Sequence, residues 1–410
     1  MTARLHIDVT ASWNRRAPPH GISRIVTELA RAVRDLSEEH QAWRYDHRAQ
    51  RMRPVSWEAL ERSLQRDGPD TRDLSVWARR LLRRSALLRL VWRAGLALLG
   101  RLSALAPGRR FPAFGPDDCF IYADVSNDDG RVATYRKMIE TTGVSTLFYC
   151  HDLIPILFEG YVGSNTARCF TQLLRTLLEA EARILCNSEA TLRDLGAVAG
   201  RMGFAGVDGR VIPPGCDLRR TDREAQSLPG FERAYILYVS TIEVRKNHRL
   251  LLRVYDRLMA QGWTDLPMLV FAGYRGWLVE DLLAEIDGAA GAAALVRIVE
   301  NQSDEEIAAL YRGALFTVYP SLYEGWGIPV SESLALGTFC LSSDRGALPE
   351  AGAGLTETLD PEDEALWADR IAHYLRDRDE LRRREARIRS HFHARSWSDF
   401  REDVKVQLLD

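Results

Sequence analysis

Short apolar runs recur along the chain, and most are followed by a stretch with helical spacing. In the first half the runs are "LHIDVTAS", "CFIYADV", "STLFYC" and "RILCNS"; in the second they are "AYILYVS", "PMLVFAG", "LVRIVE", "LFTVYPS" and "FCLSS". Each is near-continuously apolar, as expected of a parallel strand covered by helices on both faces. Helical segments at 22–33, 164–182 and 248–261 fall between them. The alternation predicts an α/β fold with parallel sheets. The strands are too many for one comfortable sheet, and 410 residues exceed one ordinary core, so two domains are expected. The stretch "PPGCDLRRTDREAQSLPGFERAY" is rich in turn formers and charge, and it sets the seam near Ala225, between domains at 1–225 and 226–390.

The rhythm pauses between about 52 and 110, where the pattern predicts a helical insertion. From Val76 to Arg110 there are nine arginines and no acid, interleaved with leucines, Val91 and Trp92. An amphipathic helix of this kind suits an anionic membrane surface. The alternative is an arginine-rich hairpin packed on its own domain.

Composition changes the picture little. Apolar residues make up 46% and charged residues 27%, which places the chain among globular proteins. A net charge of −2 gives no nucleic-acid footprint. The six cysteines form no C-x-x-C pair, so neither a zinc ribbon nor a redox motif is indicated, and a reducing cytoplasm fits them. The opening "MTARLHIDVTASW" reads as a strand without a signal-peptide core, and no apolar run is long enough to span a bilayer. Cytoplasmic placement is therefore expected, with the basic insertion able to hold the protein on the inner face of the membrane. One bias is informative: lysine occurs only at Lys137, Lys246 and Lys405, against 52 arginines.

Four strand ends carry candidate chemistry. In "YPSLYEGWGIPVSESLALG", Gly325 and Gly327 permit close backbone approach, Pro329 suits a helix start, and the helix N-terminus favours an anion. Carboxylates repel phosphate, so Glu324 and Glu332 read instead as acceptors for sugar hydroxyls on either side of it. The plainer reading is a first-turn glutamate and a surface-loop glutamate. In "YVSTIEVRKNH", Arg245 and the rare Lys246 sit in a strand-to-helix loop and suit a diphosphate clamp; a solvated helix start is the alternative. In "LFYCHDLIPI", His151 and Asp152 end a strand as a polar pair able to polarise a hydroxyl. In "RRAPPHGISR", Gly21 allows close approach and Arg24 lies in the first helical turn; "CNSEAT" and "VIPPGCD" end later strands similarly.

These residues together resemble the retaining nucleotide-sugar glycosyltransferases of family 4. The spacing Glu324-x7-Glu332 carries most of the resemblance, and "VSTIEVRKNH", "FAGYRGW", "VIPPGCD" and "ALPEAG" follow the family order. "DVT…HGISR" with "HDLIPI" is similar, more narrowly, to bacterial mannosyl- and rhamnosyltransferases of O-antigen and polysaccharide synthesis. The resemblance implies a GT-B fold, two Rossmann-like domains facing across a cleft, with 391–410 crossing back as a helix onto the first domain. It implies that Arg245 and Lys246 bind the donor diphosphate, that Glu332 holds the ribose and that Glu324 contacts the transferred sugar. Gly325, Trp326, Gly327 and Ile328 would line the donor, Gly21 would lie near the phosphates, and His151 with Asp152 near the reacting sugar. His20 and Arg24 are candidates on the acceptor side.

The implied reaction is hexosyl transfer with retention, mannose from GDP-mannose by preference, onto a lipid-linked or polysaccharide glycan. Rhamnose or glucose from another nucleotide sugar is the nearest alternative. No cofactor or metal is expected, since the cations can stabilise the leaving diphosphate and no Asp-x-Asp cradle stands in a suitable loop. The sequence departs from the family where Ser240-Thr241 replaces a common Gly-Arg, and where Trp326 replaces a common Phe. A sugar-nucleotide epimerase or hydrolase of the same fold, and a non-catalytic glycan-binding module, are the competing readings. A dinucleotide dehydrogenase and a P-loop NTPase lack their glycine motifs here.

Overall fold

The computed structural model describes residues 4–13, 21–64, 111–124, 127–218, 231 and 233–409. The first unit contains β1 (Arg4–Asp8), β2 (His40–Asp46), β3 (Arg51–Val55), β4 (Asp118–Tyr122), β5 (Ser145–Cys150), β6 (Arg183–Cys186) and β7 (Gly209–Val211), in the order β3-β2-β1-β4-β5-β6-β7. The second contains β8 (Tyr235–Val239), β9 (Met268–Ala272), β10 (Val296–Val299), β11 (Thr317–Tyr319), β12 (Cys340–Ser343) and β13 (Glu357–Leu359), in the order β10-β9-β8-β11-β12-β13. All nine expected runs are strands; eight are largely buried because helices cover both faces, whereas β10, at the edge of the second sheet, is only half-buried.

Both orders reverse direction beside their first strand. From β1 the chain builds outward to β2, then returns to place β4 on the other side; β8 is flanked in the same way by β9 and β11. Loops at the carboxyl ends of the strands diverge at such points and leave a crevice. Gly21 follows β1, residues 240–246 follow β8, and residues 320–327 follow β11.

Two expectations need correction. The first sheet is not parallel throughout, since β2 and β3 pair antiparallel. They form the sheet edge and are only half-buried, so they lack the continuous apolar signal; Pro54 is tolerated there because an edge strand needs fewer N–H donors. The insertion is also not helical from residue 52: it begins with β3, followed by a helix, Trp57–Leu64, whose Leu60 enters the core of the first unit. Residues 65–110, which include the arginine-rich stretch, lie outside the described residues, as do His20 and the seam near Ala225.

The last helix, Trp397–Leu409, packs on the first unit although it follows the second in sequence. Trp397, Phe400, Val404 and Leu408 join Ile7, Val26 and Leu29 in one core. Arg183 donates to Gln407 O at 2.8 Å, and Arg401 pairs with Glu28 at 2.5 Å. No helix among the described residues is long and apolar enough to cross a membrane. All six cysteines are free and buried.

Candidate active site

The loops after β1, β5, β8 and β11 meet at a cleft of about 420 Å³ between the two units. Every candidate residue within the described segments lines it: Gly21, Arg24, His151, Asp152, Arg245, Lys246, the run Glu324 to Ile328, and Glu332. Positions far apart in sequence are gathered because they follow the carboxyl ends of strands at or near a reversal point.

The cations come first. Arg245 and Lys246 occupy a tight turn, Val244–Lys246, after β8. Their backbones are anchored from below: Tyr238 Oη donates to Lys246 O at 2.7 Å, and Leu322 N donates to Arg245 O at 2.8 Å. Glu324 takes both cations, one on each oxygen, Arg245 Nη1 at 2.8 Å and Lys246 Nζ at 2.5 Å. Arg245 also pairs with Glu243 at 2.7 Å and donates to Tyr323 O at 2.6 Å. Lys246 Nζ donates to Tyr319 Oη at 2.9 Å. Two cations and two carboxylates thus form a buried, charge-balanced cluster.

Electrostatics separate the two glutamates of the motif. Burial raises the Glu324 pKa, but Arg245 and Lys246 outweigh it and hold the carboxyl down to about 2. Burial also acts on Glu332, where only Arg24 and a hydrogen bond from Tyr311 Oη (3.0 Å) oppose it, so its carboxyl is pushed up to about 7. Arg24, expected on the acceptor side, stands near Glu332 and 3.6 Å from Asp304 of the second unit.

The backbone between the glutamates explains the glycines. A Cβ on Gly325 would lie 2.0 Å from His151 O, so no other residue fits this crossing of the cleft. Gly327 has φ 120°, a conformation L side chains rarely adopt. The helix it caps, Ile328–Ala335, begins one residue before Pro329. Pro329 has no N–H, and Val330 and Ser331 donate back to Gly327 O at 2.9 and 3.3 Å. The helix start therefore offers the cleft fewer donors than an anion seat built on the helix alone would need, and the cations carry more of that role.

Opposite them, His151 is buried and its Nε2 lies 2.8 Å from Ala123 O. A carbonyl only accepts, so the proton sits on Nε2 and Nδ1 carries a lone pair, which has no partner among the described residues. Burial lowers the His151 pKa, favouring the neutral ring. Burial raises the Asp152 pKa against the pull of Arg245, and Asp152 Oδ1 accepts from Ile154 N at 3.0 Å. Asn187 donates to His151 O at 2.5 Å, and its own Oδ1 has no partner among the described residues.

Sequence reasoning missed Glu243, Tyr319 and Asp304. Glu243 had a signal, an acid two positions before the cation pair in "TIEVRKNH". The others read as an ordinary strand tyrosine and a helix-start acid. Among the described residues, His373, Asp377 and Glu380 group three atoms able to hold a metal ion, but none of them lines the cleft.

Residues 220–391 match the family described as glycosyl transferases group 1. The match covers most of the second unit and less than half of the chain. The chain is 34% identical over 143 residues to the O-antigen chain mannosyltransferase B of Escherichia coli, covering 35% of this chain and 37% of that one. It is 32% identical over 207 residues to the D-inositol 3-phosphate glycosyltransferase of Nocardia farcinica, covering 47% and 46%. The chain thus spans less than half the length of these curated relatives. Among solved structures, Anabaena HepE in complex with UDP and glucose superimposes with a TM-score of 0.62 at 13% identity, over the full length of both chains. WaaG, a glycosyltransferase involved in lipopolysaccharide biosynthesis, does so with a TM-score of 0.56 at 11% identity, over 98% of this chain and 99% of that one. The chain therefore has the GT-B fold expected from the sequence.

Proposed function

We propose that the chain is a retaining hexosyltransferase that moves a sugar from a nucleoside diphosphate to a hydroxyl of a glycan, with GDP-mannose as donor and an O-antigen or lipid-linked glycan as acceptor. The observation that carries this reading is the meeting of Arg245 and Lys246 with Glu324 and Glu332 on one cleft wall, opposite an unpartnered His151 Nδ1. The matched mannosyltransferases of Escherichia coli support the choice of mannose.

The chemistry follows from the pairing of Glu324 with Arg245 and Lys246. An arriving diphosphate competes with Glu324 for Arg245 and Lys246. As the cations turn to it, the Glu324 oxygens are freed to accept hydrogen bonds from hydroxyls of the transferred sugar. The cations then stabilise the negative charge that grows on the leaving diphosphate. Glu332, when ionised, accepts from ribose hydroxyls, and His151 Nδ1 accepts from a sugar hydroxyl. Closing the cleft excludes water and favours transfer over hydrolysis. Retention rests on the resemblance of the Glu324–Glu332 stretch, and independence of a metal on the ability of Arg245 and Lys246 to stabilise the leaving diphosphate.

A thermal-shift panel of GDP-, UDP- and dTDP-sugars tests the donor: stabilisation by GDP-mannose alone is expected. Stabilisation only by UDP- or dTDP-sugars removes mannose from GDP-mannose, and none by any of them removes the transferase reading. The anomeric configuration of the product by NMR tests retention, and activity in EDTA tests the metal. We further propose that the basic stretch within 52–110 holds the chain on anionic lipid; absence of co-sedimentation with anionic liposomes at low salt rules that out.

A further inference from the structure

The helix Glu189–Arg201 of the first unit is gripped by the second unit at three places, and all three lead to Glu324. At its start, Glu350 takes the N–H of Glu189 on Oε2 and that of Ala190 on Oε1, both at 2.8 Å. One position on, the N–H of Thr191 goes to the Ser188 side chain at 2.9 Å. Three donors that a helix start leaves open are thus satisfied, two of them across the cleft. Ser188 Oγ donates to Thr191 Oγ1 at 3.0 Å, and Thr191 Oγ1 donates onward to Gly325 O at 3.3 Å. One turn further, Asp194 accepts from Tyr323 Oη.

Tyr323 and Gly325 are the immediate neighbours of Glu324. The segment carrying Glu350 also holds Glu324 itself, since Ala347 N donates to Glu324 O at 2.9 Å. The contacts close into a ring: helix start, Glu350, Ala347, Glu324, Gly325, Thr191 and back to the helix.

We propose that Glu350, Thr191 and Asp194 are positioning residues that form a clasp between the units and set Glu324 for transfer once the cleft is shut. The inference rests on the transferase reading above for its kinetic consequence, but the clasp itself is a contact and can be measured without turnover. None of the three residues lines the cleft, so they act through the backbone on either side of Glu324.

The test uses Glu350→Gln, Asp194→Asn, Thr191→Val and Thr191→Ser in the full chain. Hydrogen exchange is the first readout: peptides covering 320–328 should exchange faster in Glu350→Gln and Asp194→Asn than in wild type. Steady-state transfer is the second. Glu350→Gln, Asp194→Asn and Thr191→Val should lower kcat by about tenfold or more with donor KM changed less than about twofold, and Thr191→Ser should keep wild-type kcat. A merely structural role would lower Tm and leave kcat in place. Unchanged exchange in 320–328 overturns the clasp, and so does wild-type kcat in all four variants. If wild type uses no nucleotide sugar, the transferase reading fails while the exchange data still decide the clasp.

Discussion

Glu324 and Glu332 are the same residue type, eight positions apart, on the same cleft wall, and burial pushes both toward the neutral form. They end at opposite extremes, about 2 and about 7. The difference lies in their neighbours. Glu324 has a guanidinium and an ammonium, one on each oxygen, whereas Glu332 has a tyrosine hydroxyl and a more distant arginine. Burial amplifies whatever charges are near, so a motif of two identical acids yields one fixed anion and one proton switch.

The largest test removes one member of the charged cluster, the anion or a cation. Glu324→Ala and Lys246→Ala should each lower kcat for transfer by about a hundredfold or more with an unchanged circular dichroism spectrum. Full activity in either variant breaks the assignment of this cluster to the reaction.

Next in size is the pH dependence of donor affinity. Glu332 loses its charge as pH falls through about 7, so donor KM should rise by up to about tenfold per pH unit below it. In Glu332→Gln that slope should vanish. A profile flat between pH 5.5 and 8.5 in wild type would place the ribose contact elsewhere.

The two acids should also give stability profiles of opposite sign. The Glu324 value is depressed below the ordinary 4.5, so its charge stabilises the fold above pH 4.5, and that contribution is lost as pH falls toward 2. The Glu332 value is raised above 4.5, so its ionisation costs stability from pH 4.5 upward, in full above about 7. Urea unfolding of Glu332→Gln should therefore show a gain of about 1 kcal/mol or more at pH 8 and none at pH 4. The smallest effect is expected of Arg24→Ala, which withdraws a cation from Glu332 and should move the midpoint of the KM profile upward by less than about one pH unit. A downward shift would show that Arg24 does not face Glu332 in solution.

The strands buried on both faces were legible because burial demands unbroken apolar runs, as in "STLFYC" and "AYILYVS". The edge pair β2 and β3 was not, because half-buried residues at an edge alternate weakly and resemble loop or helix. Most of the site was legible as strand-end polar residues and a rare lysine. The pairing within it was not: Arg245 and Lys246 meet the 323–324 backbone and carboxylate across a separation of 78 residues, which no local spacing encodes. Glu350 was hidden for a related reason. An acid in "ALPEAG" looks like a solvated helix residue until the backbone it caps, from the other unit, is brought beside it.

The chain passes between the units in two places that touch each other. Outward it runs through Gly215–Asp217, and it returns through Arg395–Trp397. Cys216 N donates to Arg395 O at 2.7 Å, Trp397 N donates to Asp217 Oδ1 at 3.2 Å, and a Cβ on Gly215 would lie 2.5 Å from Trp397 N. Held side by side, these two segments bring the chain's departure from the first unit and its return to it to one place, at the start of the helix that carries Trp397.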